Sequence, residues 1–227
     1  MCNAIEVGKL IYKKSFLYIA FILTFIVIGT LAYSKTFANE LAEELEKPKI
    51  ERHLVFDTIP LNLEEIAKSA GKVFSGECTK VEYIENDKES NLPVVKYTFK
   101  VLDGLKDVKN GEEVTFKQWE ATTRNAGYTE GEKYFLFLYP ASNRGLTSPV
   151  GFLQGQFQIQ KKGFLIKKDV VINKAHNKGL HRNLRTQKKL QLDNDYLNNY
   201  LHKCSELGIP MRYKEFVQVV EALVDNG

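Results

Sequence analysis

The sequence predicts a mainly β fold: a small antiparallel barrel or sandwich, with one short helix before it and two helices after it. Three observations carry this. Five to seven short segments of strand-like period lie between residues 72 and 172, the period turns helical after residue 190, and an uncharged apolar run near the N-terminus stands apart from both. Short strands at even spacing, with turn residues between them, favour antiparallel over parallel architectures.

The first element is the N-terminal run. Lys9, Lys13 and Lys14 precede Ser15 to Ser34, which holds no charge and is rich in Phe, Ile, Leu and Val. About 20 apolar residues cross the hydrocarbon core of a bilayer, and positive charge ahead of them keeps the N-terminus in the cytoplasm. Because the run is apolar all round, it does not read as a buried amphipathic helix. Thr36-Phe37-Ala38 offers a cut after Ala38, yet the run is longer than the roughly 7–15 residues of a signal peptide. Residues 1–38 are therefore expected to be a cleaved signal or a transmembrane anchor. Either way the rest of the chain is expected outside the cytoplasm, tethered to the membrane or secreted. Cys2 lies before the run and no cysteine follows closely, so a lipoprotein is not indicated.

Residues 39–60 are polar and charged and read as a linker. Asn62 with Glu65 has the spacing of a capping box, Leu63, Ile66 and Ala67 supply an apolar side, and Gly71 is placed to end this short helix. Lys72 to Ile84 then reads as a strand in which Gly76 marks a bulge or sharp bend. Val95, Tyr97, Phe99 and Val101 alternate with Lys96, Thr98 and Lys100 in the clearest strand of the chain. Asn110-Gly111 is a tight turn, after which Val114, Phe116 and Gln118 alternate with Thr115, Lys117 and Trp119. Ala121 to Glu132 reads as a surface loop.

Tyr134 to Tyr139 is apolar on both faces, which predicts a central strand ended by Pro140. Leu153, Gly155, Phe157 and Ile159 alternate with Gln154, Gln156, Gln158 and Gln160, so one face is expected in the core and the other wet. Phe164 to Ile166 and Val170 to Ile172 suggest a last hairpin. Two amphipathic stripes follow: Leu192, Tyr196, Leu197, Tyr200, Leu201 and Cys204, then Tyr213, Phe216, Val217, Val220, Leu223 and Val224. Neither helix can bury its stripe alone, so both are expected to pack on the strands or on each other. The resulting division is 1–38 signal or anchor, 39–60 linker, 61–175 barrel and 176–227 basic connection with C-terminal helices.

The order of helix, Gly76-bearing strand, long alternating strand, Gly131-Glu132-Lys133-Tyr134-Phe135-Leu136-Phe137-Leu138 and Gly155-Gln156-Phe157 resembles a group of exported bacterial proteins. These in turn are similar to the OB-like barrel of the netrin and tissue-inhibitor-of-metalloproteinases superfamily. The resemblance covers about residues 61–160 and implies an OB-like barrel. Inhibitors of that superfamily place an N-terminal cysteine on a protease zinc. The matching start here would be Asn39, with no cysteine nearby, so that mechanism does not carry over.

Beyond residue 38 the chain keeps 28 basic and 27 acidic residues, so the pI of about 8.7 owes much to the N-terminal segment. The remaining charge is segregated: residues 161–190 carry ten basic groups and one acidic, while both flanks are net acidic. Lys161, Lys162, Lys167, Lys168, Lys188 and Lys189 are the candidate surface for an anionic partner, either lipid head groups or a wall polymer. The bland reading of such a run is a solvated loop. Only Cys78 and Cys204 follow the apolar run, and a disulfide between them would tie a C-terminal helix to the strands; two separately buried thiols are the alternative.

His53, His176, His181 and His202 have no zinc-like spacing with the cysteines, so no metal or cofactor is expected. No nucleophile elbow, zinc-protease helix, phosphate loop or dinucleotide fingerprint is present, and acids such as Asp103 and Glu120 read as surface charge. The expected protein is a non-enzymatic interaction module, binding a protein or an anionic surface polymer. An OB-type nucleic-acid binder and an inhibitor-like domain without the cysteine mechanism are the alternatives. Nucleic acid is disfavoured because aromatic residues are scarce within 161–190.

Overall fold

In the computed structural model, residues 59–224 are described, apart from Leu165, Leu184 and Arg185. The apolar run, the cleavage motif and nearly all of the linker lie outside the described residues. Among the described residues, no helix is long and apolar enough to cross a membrane.

Helix α1 is Leu63–Ser69 and starts with the expected capping box. The Glu65 amide donates to the Asn62 side chain at 2.8 Å, and the Asn62 amide donates to the Glu65 carboxylate at 2.9 Å. The helix is capped by extended Ala70 rather than by Gly71. Gly71 instead lies against Pro140, which a Cβ would approach to 3.0 Å.

Strands β1 (Lys72–Ile84) and β2 (Val94–Lys106) pair antiparallel along their length, with register shifts at Val73/Phe74, Ser75/Gly76 and Cys78/Lys80. Such bulges bend a strand and sharpen its twist. Gly76 is needed at its bulge, since a Cβ there would stand 2.9 Å from the Lys100 carbonyl. Strand β3 is Glu113–Trp119, followed directly by α2 (Glu120–Ala126), and β4 is Lys133–Leu138. A 3-10 turn at Phe152–Gln154 leads into β5 (Gln156–Lys162) and β6 (Lys168–Asn173). Helix α3 (Asp195–Leu207), the two-residue β7 (Met211–Arg212) and α4 (Tyr213–Val224) follow among the described residues.

The strands form one antiparallel sheet in the order β3-β2-β1-β4-β5-β6-β7. The ladder is open, with β3 and β7 at its edges. A loop reaches across the gap beside β4: Leu146 bridges Lys117 of β3 in parallel, Pro149 bridges Leu138 of β4, and the Thr147 amide donates to the Lys117 carbonyl at 2.9 Å.

Two cores lie on opposite faces of β4, as the doubly apolar strand requires. Tyr134, Leu136 and Leu138 join Phe74, Cys78, Tyr97, Phe99, Phe116 and Tyr128, while Phe135 and Phe137 join Phe157, Val171 and the helices. Helix α4 anchors the second core through Phe216, whose ring lies 5.0 Å from Phe135 and 4.8 Å from Phe157. Helix α1 packs on α4. The C-terminal helices therefore share the core of the strands, and β7 belongs to the same sheet.

Three local expectations are corrected. The segment expected as a loop holds α2, a seven-residue helix without a side-chain N-cap. Its polar sequence hides it, and Thr122 and Thr123 donate back to the carbonyls of Trp119 and Glu120. Strand β5 begins at Gln156 rather than Leu153, because the Gly151 and Phe152 backbones are left-handed and turn the chain first. Tyr196 lies on the outside of α3, 55% exposed, and stacks on Tyr200.

Candidate functional site

The first four lysines of the candidate surface come together on one hairpin. Lys161 and Lys162 end β5, Lys168 opens β6, and Lys167 precedes it, all four exposed. The turn closes at Gly163, whose φ of +131° and whose missing Cβ, which would sit 2.1 Å from the Ile166 carbonyl oxygen, both demand glycine. At the tip stand Phe164, 98% exposed, and Ile166, 74% exposed. Two large apolar side chains are thus held in solvent between two lysine pairs. Lys162 and Lys168 are cross-strand partners, while Lys161 faces Asp169. Like charges directly opposite each other destabilise a ladder, so the sequence maintains this pair at a cost to the fold.

Lys188 and Lys189 belong elsewhere. They lie on the loop before α3, lining a cleft of about 350 Å³ with Glu64, Lys68 and Leu197. The block that is continuous in sequence is therefore divided between the hairpin and this loop.

Cys78 and Cys204 are both buried and free. They belong to the two different cores, on opposite faces of the sheet, so they stand as two separately buried thiols with no bridge between them. Burial pushes the Cys78 thiol up to about 11 and raises that of Cys204, so neither is a ready nucleophile.

Of the isolated acids, Asp103 has acquired partners. It accepts from the Tyr213 hydroxyl and, at 3.5 Å, from Ser75 Oγ, while its own amide donates to Ser75 Oγ at 3.1 Å. Ser75 is fully buried at the bulge, and the trio ties the start of α4 to β1 and β2. Burial, followed by the Asp103 carboxylate, raises the Tyr213 hydroxyl well above its ordinary value. These bonds make the trio a tertiary clamp between α4 and the strands, and Tyr213 also lines a cleft of about 380 Å³ with Lys168, Asp169 and Arg212. Glu120 pairs with Arg124 one turn along α2, at 3.4 Å.

The Gln face of β5, expected wet, is in fact buried at Gln156 and half-buried at Gln158 and Gln160, and it lines an open cleft of about 710 Å³ with Tyr134 and Lys174. Its side-chain NH₂ groups are each engaged: Gln160 donates to Gln158 at 2.7 Å, Gln158 donates to Glu132, and Gln156 donates to the Gly127 carbonyl at 3.4 Å.

The fold also makes a group that spacing did not indicate. His181 stacks edge-on against His202 at 4.5 Å between ring centroids, with Glu206 one turn beyond His202. The i,i+4 pair on α3 was visible in the sequence as a shared helix face. His181, from a loop, carried no such signal.

The sequence matches no family model, and comparison with curated proteins finds no relative.

Proposed function

We propose that this chain is a non-enzymatic membrane-surface interaction module, held at the bilayer by its N-terminal apolar segment and docked on anionic head groups by the β5–β6 hairpin. The observation that carries the reading is the exposure of two large apolar side chains, Phe164 almost completely and Ile166 largely, between four exposed lysines. Exposed apolar side chains with a cationic rim match the layered chemistry of an anionic bilayer, which offers negative head groups above an acyl boundary. A wall polymer would satisfy the lysines but leave the apolar tip in water, so the tip favours lipid. A nucleic-acid groove needs several stacking rings, and Phe164 is alone at this tip.

The loop whose bridges reach both β3 and β4 supports the reading of the domain as an OB-like barrel. In this reading the apolar segment places the domain outside the cytoplasm, and the hairpin adds a second, weaker contact whose effective concentration the tether supplies.

Each lysine near an anionic surface contributes about 1 kcal/mol, so four together account for up to a thousandfold in partitioning, at roughly 1.4 kcal/mol per tenfold. The test uses the fragment Leu54–Gly227, which forms its own compact unit. It is expected to co-sediment with phosphatidylglycerol vesicles at low salt, less with phosphatidylcholine alone, and to lose most of this binding when Lys161, Lys162, Lys167 and Lys168 become Gln. No salt-sensitive binding by the unaltered fragment would reject the reading. Binding to single-stranded DNA equal to that for vesicles would favour the nucleic-acid alternative.

A further inference from the structure

His181, His202 and Glu206 offer one donor atom each, and the three atoms lie within 4.8 Å of one another. Glu206 Oε1 is 3.2 Å from His202 Nε2 and 3.9 Å from His181 Nε2. Both Nε2 atoms are shielded from solvent, and neither makes a hydrogen bond. Two buried ring nitrogens facing one carboxylate without a partner are rare, because buried polar atoms are normally satisfied.

The surroundings hold these donors in place. His181 is 6% exposed, its carbonyl accepts from the Leu190 amide at 2.7 Å, and its own amide donates to Ser205 Oγ at 3.3 Å. The other ring nitrogen, Nδ1, lies 2.9 Å from the same hydroxyl. With Nδ1 donating to Ser205, Nε2 presents its lone pair, which is how an outer hydrogen bond orients a ligating imidazole. His202 and Glu206 project from one face of α3, one turn apart.

We infer that His181 Nε2, His202 Nε2 and Glu206 Oε1 form a binding site for a divalent transition-metal ion of the zinc type. Metal-ligand bonds of about 2.0–2.2 Å place tetrahedral donors roughly 3.3 Å apart. The His202–Glu206 separation already meets this, the His181–Glu206 separation needs to contract by about half an ångström, and the two imidazole nitrogens, within 4.8 Å of each other, must close to the same spacing on binding. Two imidazoles with one carboxylate suit zinc-type ions, whereas calcium and magnesium take oxygen ligands. Arg182 and Lys189 lie near His181, and their positive charge disfavours any cation there. Affinity here comes from donor identity rather than negative charge. The neutral imidazole is the form that ligates. Three protein ligands leave a fourth position, on the side where Glu206 meets solvent.

The test is titration of the full-length chain, in mild detergent, with Zn²⁺ against a chromophoric chelator, with Co²⁺ as a ligand-field probe. One saturable site is expected, unaffected by excess Ca²⁺ or Mg²⁺. His202→Gln and Glu206→Gln, both at partly exposed positions, should each weaken it at least about tenfold. Ser205→Ala should weaken it by about 10–100-fold through the orientation of His181. At a free Zn²⁺ concentration of about 100 times Kd, the unfolding equilibrium should shift roughly 100-fold toward the folded state in the wild type and scarcely in the variants. His176→Gln serves as a control that leaves binding intact. The inference is overturned if the wild type shows no saturable site, or if the two Gln variants, folded by circular dichroism, bind Zn²⁺ as tightly as it does.

Discussion

Replacing Phe164 by Ala separates membrane insertion from simple charge attraction. The ring is 98% exposed, so truncating it removes no packing, and folding stability is expected to change by less than about 0.5 kcal/mol. On a bilayer the same ring leaves water. Full burial of a Phe side chain is worth about 1.5–3 kcal/mol, and half that depth about 1 kcal/mol, so vesicle affinity should fall by roughly fivefold to a hundredfold. The reverse substitution, Phe164→Trp, should preserve binding, because Trp is at home in the interface. The chain has a single Trp, Trp119, so in a Trp119→Phe background the new indole reports alone. Its emission should shift to the blue when anionic vesicles are added and remain unshifted with neutral ones. Equal vesicle affinity for Phe164→Ala and wild type, with no blue shift from Trp at position 164, would show that the tip stays in water. The hairpin would then rest on the head groups through its lysines alone, without insertion.

Two further outcomes test the fold. Phe216→Ala removes the ring that joins α4 to the sheet at 5.0 Å from Phe135 and 4.8 Å from Phe157, at a fully buried position. It should destabilise the domain by about 3–5 kcal/mol in urea melts, and a loss below about 1 kcal/mol would contradict the packing described. Asp87 receives Lys117 Nζ at 2.9 Å and the Ser90 amide at 2.9 Å, and chiefly Lys117, then Ser90, hold its carboxyl down at about 2, against an ordinary value of 3.8. Because the folded value is the lower one, its contribution is present above pH 3.8 and fades as pH falls toward 2. Asp87→Asn should flatten the acid limb of stability in that window, and an unchanged limb in a pH-dependent denaturation series would remove Asp87 from the account.

The sequence made the strands legible where side chains alternate. Val95, Tyr97, Phe99 and Val101 are all buried, and the doubly apolar β4 sits at the middle of the sheet with a core on each side. The capping box of α1 and the bulge at Gly76 were equally readable, because each is a local contact encoded by neighbouring residues. What escaped depends on distant partners. Strand β7 is two residues long and exists only because β6 is beside it. The α2 segment has no periodic stripe of its own, and the site formed by His181 and His202 required a loop and a helix to meet. The cysteines show the limit of stripe reasoning: both are inward-facing, as their patterns indicate, but inward means a different core for each. On the basic hairpin, charge was evident from composition, whereas the outward aim of Phe164 came from the turn geometry that Gly163 imposes.

The packing of α1 on α4 also bears on the order in which the molecule can be completed during synthesis. Leu63 and Ile66 share a core with Val220 and Leu223, which are synthesised much later. Until then the apolar face that Phe135, Phe137 and Phe157 present to the helices has no cover. Contacts between such distant stretches of chain form slowly, so the emerging polypeptide passes through a long interval in which the sheet exposes one greasy side. During that interval a holding chaperone would find its natural substrate, and a chain stopped before Phe216 would remain there.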